Sequence, residues 1–141
     1  LDSGLSIARI SPFLRRARSE LQRHERVKQA MDLATRNPRV VARRAVYQTD
    51  DRRPRVVVAE VLAEIARVVA LVEDSLDDIA LEPAAREAGK AVAARLDPRG
   101  ILPDGDLGEH NLIVAMRPLV TDLLAATGMT PDDARACLPR L

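Results

Sequence analysis

Aromatic residues are almost absent from this sequence: Phe13 and Tyr47 are its two aromatic residues, and it has no Trp. A core must therefore be filled by Leu, Val, Ile and Ala, and the flat rings on which proteins stack unpaired bases are missing. We expect no nucleic-acid partner. The single cysteine, Cys137, excludes an intrachain disulfide and a cysteine-rich zinc site. These absences favour a reducing compartment, so we expect the chain to be cytoplasmic.

Long apolar runs are also missing. The longest stretch without Asp, Glu, Lys or Arg is Leu123–Pro131, nine residues, whereas a membrane-spanning helix needs about 20. The first residues, Leu1–Ile10, lack the charged start and apolar centre of a signal peptide, and the chain begins without Met. We therefore expect residues 1–141 to form one domain cut from a longer protein.

Catalytic motifs are scarce. His24 and His110 lie in no zinc-binding pattern, Cys137 lies four residues from the chain end, and the glycine-rich phosphate-binding loops are absent. Two acidic clusters are the remaining candidates, one suited to Mg²⁺ and one vaguely similar to a calcium loop. The first lacks a facing second cluster, since Glu60 and Glu64 lie about three turns away on the same helix, and the second lacks the ligand spacing. We predict no catalytic, cofactor-binding or metal-binding residues. The two clusters are Glu73, Asp74, Asp77 and Asp78, and Asp104, Asp106, Glu109 and His110.

Apolar residues make up 47% of the chain, which is enough for it to fold, and charged residues are distributed very unevenly along it. Residues 1–55 hold fourteen Lys and Arg against six Asp and Glu, a net charge of +8, and residues 56–141 hold eight against fifteen, a net charge of −7. Such an imbalance indicates either an anionic partner or two helices whose charges face each other within one bundle.

The periodicity is helical nearly throughout and predicts an all-α antiparallel bundle of four to five helices. The first helix is predicted from Pro12 to Arg36, with a kink or short break at Asn37 and Pro38 and a continuation to about Gln48. Further helices are predicted over Pro54–Ile79, Pro83–Leu96 and Gly108–Thr127, with a loop over Pro98–Leu107, a left-handed cap at Gly128 and a short last helix after Thr130.

The helix over Pro54–Ile79 has the clearest pattern, because its apolar residues alternate at spacings of four and three. The predicted buried ridge is Val58, Leu62, Ile65, Val69, Val72, Leu76 and Ile79. If this helix forms a hairpin with the first, Asp74, Asp77 and Asp78 lie near Arg23 and Arg26. We expect ion pairs there, because carboxylates at a helix C-terminus are otherwise opposed by the helix dipole.

Basic residues are concentrated near the first helix, and Arg36, Arg39 and Arg43 share one helical side with Tyr47. They are either solvated residues on the outside of the bundle or contacts for an anionic membrane surface. Near such a surface each arginine contributes about 1 kcal/mol of attraction. Arg15, Arg16 and Arg18 would be well placed just after a membrane helix. The predicted contact residues are Arg15, Arg16, Arg36, Arg39, Arg43 and Arg44.

The run from Arg36 to Arg44, R-N-P-R-V-V-A-R-R, resembles the cytoplasmic C-terminal region of bacterial fusaric-acid-resistance or aromatic-acid-exporter-like membrane proteins, the FUSC family. In that region an R-N-x-R-V run precedes a long Ala/Val/Leu helix, as here before Val56–Ile79, and the similarity covers about residues 10–80. The resemblance implies an all-helical domain at the cytoplasmic face of the inner membrane, attached to a transporter-like membrane domain outside this chain.

The sequence leaves three classes of function open. The chain is a non-catalytic domain of a membrane protein that acts in assembly or regulation, a free-standing interaction module that forms a homo-oligomer, or a small Mg²⁺-dependent hydrolase. We favour the first class, with the attached membrane domain or an anionic membrane surface as the partner and without a cofactor.

Overall fold

A computed structural model describes residues 12–48, 51 and 53–141. Those residues form helices and turns, with no strand among them, which confirms the predicted all-α bundle. The helices are α1 (Pro12–Gln48), α2 (Val56–Asp77), α3 (Glu82–Arg95), α4 (Pro98–Ile101), α5 (Leu107–Ala126) and α6 (Pro131–Ala136), and a 3₁₀ turn at Ile79–Leu81 joins α2 to α3.

Short-range side-chain signals set several helix ends. The start of α5 is a capping box, in which the Glu109 N–H donates to Asp106 Oδ1 at 2.8 Å and the Asp106 N–H donates to Glu109 Oε2 at 3.0 Å. Thr130 caps α6 by accepting the Asp133 N–H at 3.1 Å, as the sequence predicts. Gly128 has φ 84° and ends α5 as the predicted left-handed residue. The segment predicted as a loop contains the short α4.

The core is organised around α5, which contacts each of the other helices. Its buried residues are Leu112, Ile113, Met116, Leu119, Val120, Leu123, Leu124 and Ala126. On the side of α3, Ala85, Gly89 and Ala93 allow close packing. A Cβ atom at Gly89 would lie 2.8 Å from Leu124 Cδ2, so only glycine fits this crossing without movement of its neighbour.

Polar contacts show the directions of the helices. Arg95 pairs with Glu64, and Gly89 lies beside Val68, so α3 runs antiparallel to α2. The Arg86 guanidinium donates to the Thr127 carbonyl at the other end of α3, and Arg117 Nη1 on α5 donates to the Leu96 carbonyl at 2.7 Å. Therefore α3 is also antiparallel to α5. Arg117 Nη2 donates to the Pro139 carbonyl at 2.6 Å and holds the C-terminal tail.

The first helix packs on α5, so the predicted hairpin between α1 and α2 is wrong. The Asn37 amide donates to Asp122 Oδ2 at 2.6 Å, and Arg44 Nη1 donates to the Asn111 carbonyl at 3.4 Å, an antiparallel order. Val41, between them on α1, is 4% exposed. The position beside α2 is occupied by α3 and α5, which cover its buried ridge.

The predicted ion pairs between α1 and the end of α2 are also not found where the structure describes both partners. Ile79 lies in a cleft with Arg23, but Arg23 forms no ion pair with Asp74, Asp77 or Asp78. The Arg26 side chain lies outside the described residues. Burial of Val41 against α5 outweighs exposed charge pairing, which contributes about 0–1 kcal/mol per pair.

The break predicted at Asn37 and Pro38 is wrong, because α1 is helical through both residues. Proline removes one backbone hydrogen bond to the carbonyl four residues earlier. Pro38 itself is exposed. A kink at this position stays a prediction.

The buried ridge of α2 differs from the predicted one by a small rotation about the helix axis. Val58, Ile65 and Val72 belong to both ridges, whereas Leu62 is 37% exposed and Ile79 is 62% exposed. The residues that are buried along α2 are Val58, Val61, Ile65, Val68, Val72 and Ser75. Apolar side chains consequently remain on the solvent side of this helix.

Candidate functional site on the first helix

The first helix is much longer than the helix it packs against. It has 37 residues and is about 55 Å long, whereas α5 has 20 residues and is about 30 Å long. Asn37 contacts Asp122, which lies four residues before the end of α5. The residues of α1 before about position 33 therefore extend past that end, and Leu21 in this part is 71% exposed.

Three of the predicted contact residues share one exposed side of α1. At 100° per residue, Arg36, Arg39 and Arg43 lie opposite the buried Val41, and all three are exposed. None of the three forms an ion pair with a described residue. Val40, 47% exposed, and Tyr47, 79% exposed, lie on the same side. We call the surface formed by Arg36, Arg39, Val40, Arg43 and Tyr47 the basic face.

The other predicted contact residues lie elsewhere. Arg44 turns toward α5 and donates to the Asn111 carbonyl. Arg16 lies twenty residues before Arg36, about 30 Å along the axis, and lines a cleft of about 320 Å³ with Ile79. The side chain of Arg15 lies outside the described residues. The structure therefore brings together three of the six arginines.

The contact between Asn37 and Asp122 orients the basic face by fixing α1 on α5. Burial raises the pKa of the Asp122 carboxyl above its ordinary value of 3.8, and the hydrogen bond from the Asn37 amide partly opposes that rise. The carboxylate is only half-buried and keeps access to solvent.

The basic residues that follow α1 are partly neutralised. The Arg55 guanidinium binds Asp51 through two nitrogens, at 3.1 and 3.2 Å, and its side chain is 9% exposed. The Arg53 backbone N–H also donates to Asp51, and together these donors lower the pKa of the Asp51 carboxyl. The Arg53 side chain is 80% exposed. Arg52 lies outside the described residues.

The two histidines and the cysteine, which are the candidate catalytic residue types in this chain, form hydrogen bonds to nearby backbone carbonyls. One ring nitrogen of His110 is hydrogen-bonded to the Leu102 carbonyl at 2.7 Å, and His24 contacts the Glu20 carbonyl one turn earlier. Cys137 is partly buried, and its Sγ donates to the Asp133 carbonyl at 3.3 Å. Within the described residues, no three His, Cys, Asp or Glu side chains converge as metal ligands.

Fold and site together define an all-α bundle that carries an exposed arginine-rich helix face. None of its described helices combines the length and apolarity needed to cross a membrane. The chain matches no protein-family model, no curated protein and no solved structure.

Sequence reasoning did not identify the solvent side of α2, which carries exposed apolar residues between Val56 and Ala70. A signal for it was present, since this stretch has only three charged residues, Glu60, Glu64 and Arg67, all on one side of the helix.

Proposed function

We propose that this chain is a non-catalytic helical domain of a bacterial membrane protein, similar to the cytoplasmic domain of the fusaric-acid-resistance family, at the cytoplasmic face of the inner membrane. Its basic face contacts the anionic lipid surface and orients the domain there. The other helix surfaces then serve assembly or regulation of the attached membrane domain.

The observation that supports this proposal is the basic face itself. Arg36, Arg39 and Arg43 are exposed, share one side of a helix and have no carboxylate partner among the described residues. Tyr47 and Val40 add apolar surface beside the charges, and tyrosine is enriched where a membrane meets water. A mixed basic and apolar face of this kind fits anionic headgroups better than a fully solvated role.

Vesicle binding tests the proposal. Three arginines at about 1 kcal/mol each contribute about 3 kcal/mol of attraction, which corresponds to roughly a hundredfold in affinity. The variant Arg36→Gln, Arg39→Gln, Arg43→Gln should therefore bind vesicles containing phosphatidylserine about a hundredfold more weakly in a sedimentation assay. Neutral phosphatidylcholine vesicles should bind neither protein.

The matched control removes the same net charge elsewhere. Arg99, Arg135 and Arg140 are exposed, and Arg99 lines a cleft with Arg140 and Leu141. Their triple change to Gln should leave vesicle binding within a few-fold of the unchanged chain. Equal losses in the two triple variants would show that net charge alone drives binding. That result, or no binding of the unchanged chain to anionic vesicles at low salt, would overturn the proposal.

A further inference from the structure

The solvent side of α2 is a continuous apolar surface. At 100° of rotation per residue, the apolar residues on this side occupy a sector about 140° wide around the helix axis. Glu60, Glu64 and Arg67 all lie outside that sector. Val56 is 62% exposed and Leu62 is 37% exposed, the four alanines are exposed, and Val69 is partly buried. We call this surface the outer face of α2: Val56, Ala59, Leu62, Ala63, Ala66, Val69 and Ala70.

An exposed surface of this composition is unusual for a helix that already packs on its other side. The ridge from Val58 to Ser75 is buried against α3 and α5, so up to Val72 α2 is apolar on every side except the one that carries Glu60, Glu64 and Arg67. Helices with this pattern are normally enclosed, and a contiguous exposed apolar patch marks an interaction surface.

The two ends of the outer face carry opposite charge. Arg53, 80% exposed, and Arg55 lie at its N-terminal end and share one carboxylate, Asp51, which leaves this end with a net positive charge. Glu73, Asp74 and Asp77 are exposed at its C-terminal end and form no ion pair with a described residue. The helix dipole opposes carboxylates at that end, so an external cation would stabilise them.

We propose that the outer face of α2 binds the same face of a second copy of this chain, with the two helices antiparallel. An antiparallel two-fold arrangement centred between residues 64 and 65 places Ala59 opposite Ala70 and Ala63 opposite Ala66. It also brings the arginine end of each helix against the acidic end of the other. A parallel arrangement would bring the two acidic ends together, where like charges repel.

The size of the face sets the strength of this association. From Val56 to Ala70 it is about 21 Å long, and alanine side chains allow the axes to approach to about 8 Å. One helix pair of this length buries less than the roughly 800 Å² per partner of a standard interface. The dimer should therefore be reversible, with a dissociation constant of roughly tens to hundreds of micromolar.

Sedimentation equilibrium of the full chain across that concentration range tests the proposal. The apparent mass should rise from monomer to dimer, and Ala66→Glu, at the centre of the face, should weaken association more than tenfold. Ala94→Glu is the matched control, since Ala94 is exposed on α3 away from the outer face, and should leave association unchanged. A chain that stays monomeric throughout, or equal effects of the two variants, would overturn the proposal.

Disulfide cross-linking tests the orientation without a destabilising charge. In a Cys137→Ser background, Ala59→Cys and Ala70→Cys should each cross-link poorly alone, because equivalent residues lie about 16 Å apart along the antiparallel axis. An equimolar mixture should form the 59–70 heterodimer. Efficient cross-linking of either variant with itself would overturn the antiparallel arrangement. The outer face shares no residue with the basic face, so this result and the vesicle result are independent.

Discussion

Replacing Val68 with Ala should cost much more stability than the same replacement at Val69. The two residues are adjacent and identical, so the change removes the same two methyl groups and gains the same roughly 0.5 kcal/mol of helix propensity. Val68 is 2% exposed, whereas Val69 is only partly buried. At about 0.8 kcal/mol per buried methyl group, plus a cavity term, Val68→Ala should lower the free energy of unfolding by about 2 kcal/mol.

For Val69→Ala the transfer loss is about half as large and no closed cavity forms, so the expected loss is below about 0.5 kcal/mol. Urea unfolding followed by circular dichroism at 222 nm measures both. With a slope of about 1–3 kcal/mol/M, the two midpoints should differ by roughly 1 M. Equal midpoints, or a lower midpoint for Val69→Ala, would mean that Val69 is at least as buried as Val68, as in the ridge predicted from the sequence. That result would refute the packing described above.

Three further changes have clear expectations. Because burial raises the pKa of Asp122, this residue stabilises the fold below pH 3.8, and the stabilisation is lost as the pH rises through the raised pKa. Asp122→Asn should remove this loss and raise the free energy of unfolding at pH 7 by less than about 1 kcal/mol. Urea titrations at several pH values measure the effect. Gly89→Val should destabilise by about 1–3 kcal/mol, since its side chain would overlap Leu124, and thermal melts with Leu124→Ala added should show partial compensation. Asp106→Ala should cost about 1 kcal/mol through loss of the capping box, and an equal loss with Asp106→Ser would contradict that cause.

Helix ends could be predicted from sequence where a few neighbouring residues determine them. Gly128 is favoured because it adopts a positive φ at little steric cost, and Thr130 followed by proline supplies a side-chain acceptor and a residue without an N–H. These effects act within four residues. The structure places both features where the pattern predicts them.

The rotation of α2 and the partner of α1 depend on contacts between distant residues. Val68 and Val69, like Val61 and Leu62, are adjacent apolar pairs, so two ridges fit the same periodicity. Charge matching favoured the wrong partner for α1, because exposed ion pairs contribute little compared with burial of Val41.

The candidate site was predictable only within one stretch of helix. Arg36, Arg39 and Arg43 recur at spacings of three and four, which places them on one side of any helix. Arg44 lies 100° further round and contacts α5, and Arg16 lies about 30 Å away. Clustering of arginines along the chain therefore did not mean clustering on the surface.

Arg117 connects segments that are far apart in sequence, because its two terminal nitrogens bind the carbonyls of Leu96 and Pro139. A single guanidinium thus anchors both the exit from α3 and the last residues of the chain to the middle of α5. Local opening at these two places should consequently be thermodynamically linked, so that amide hydrogen exchange at one reports on the anchoring of the other.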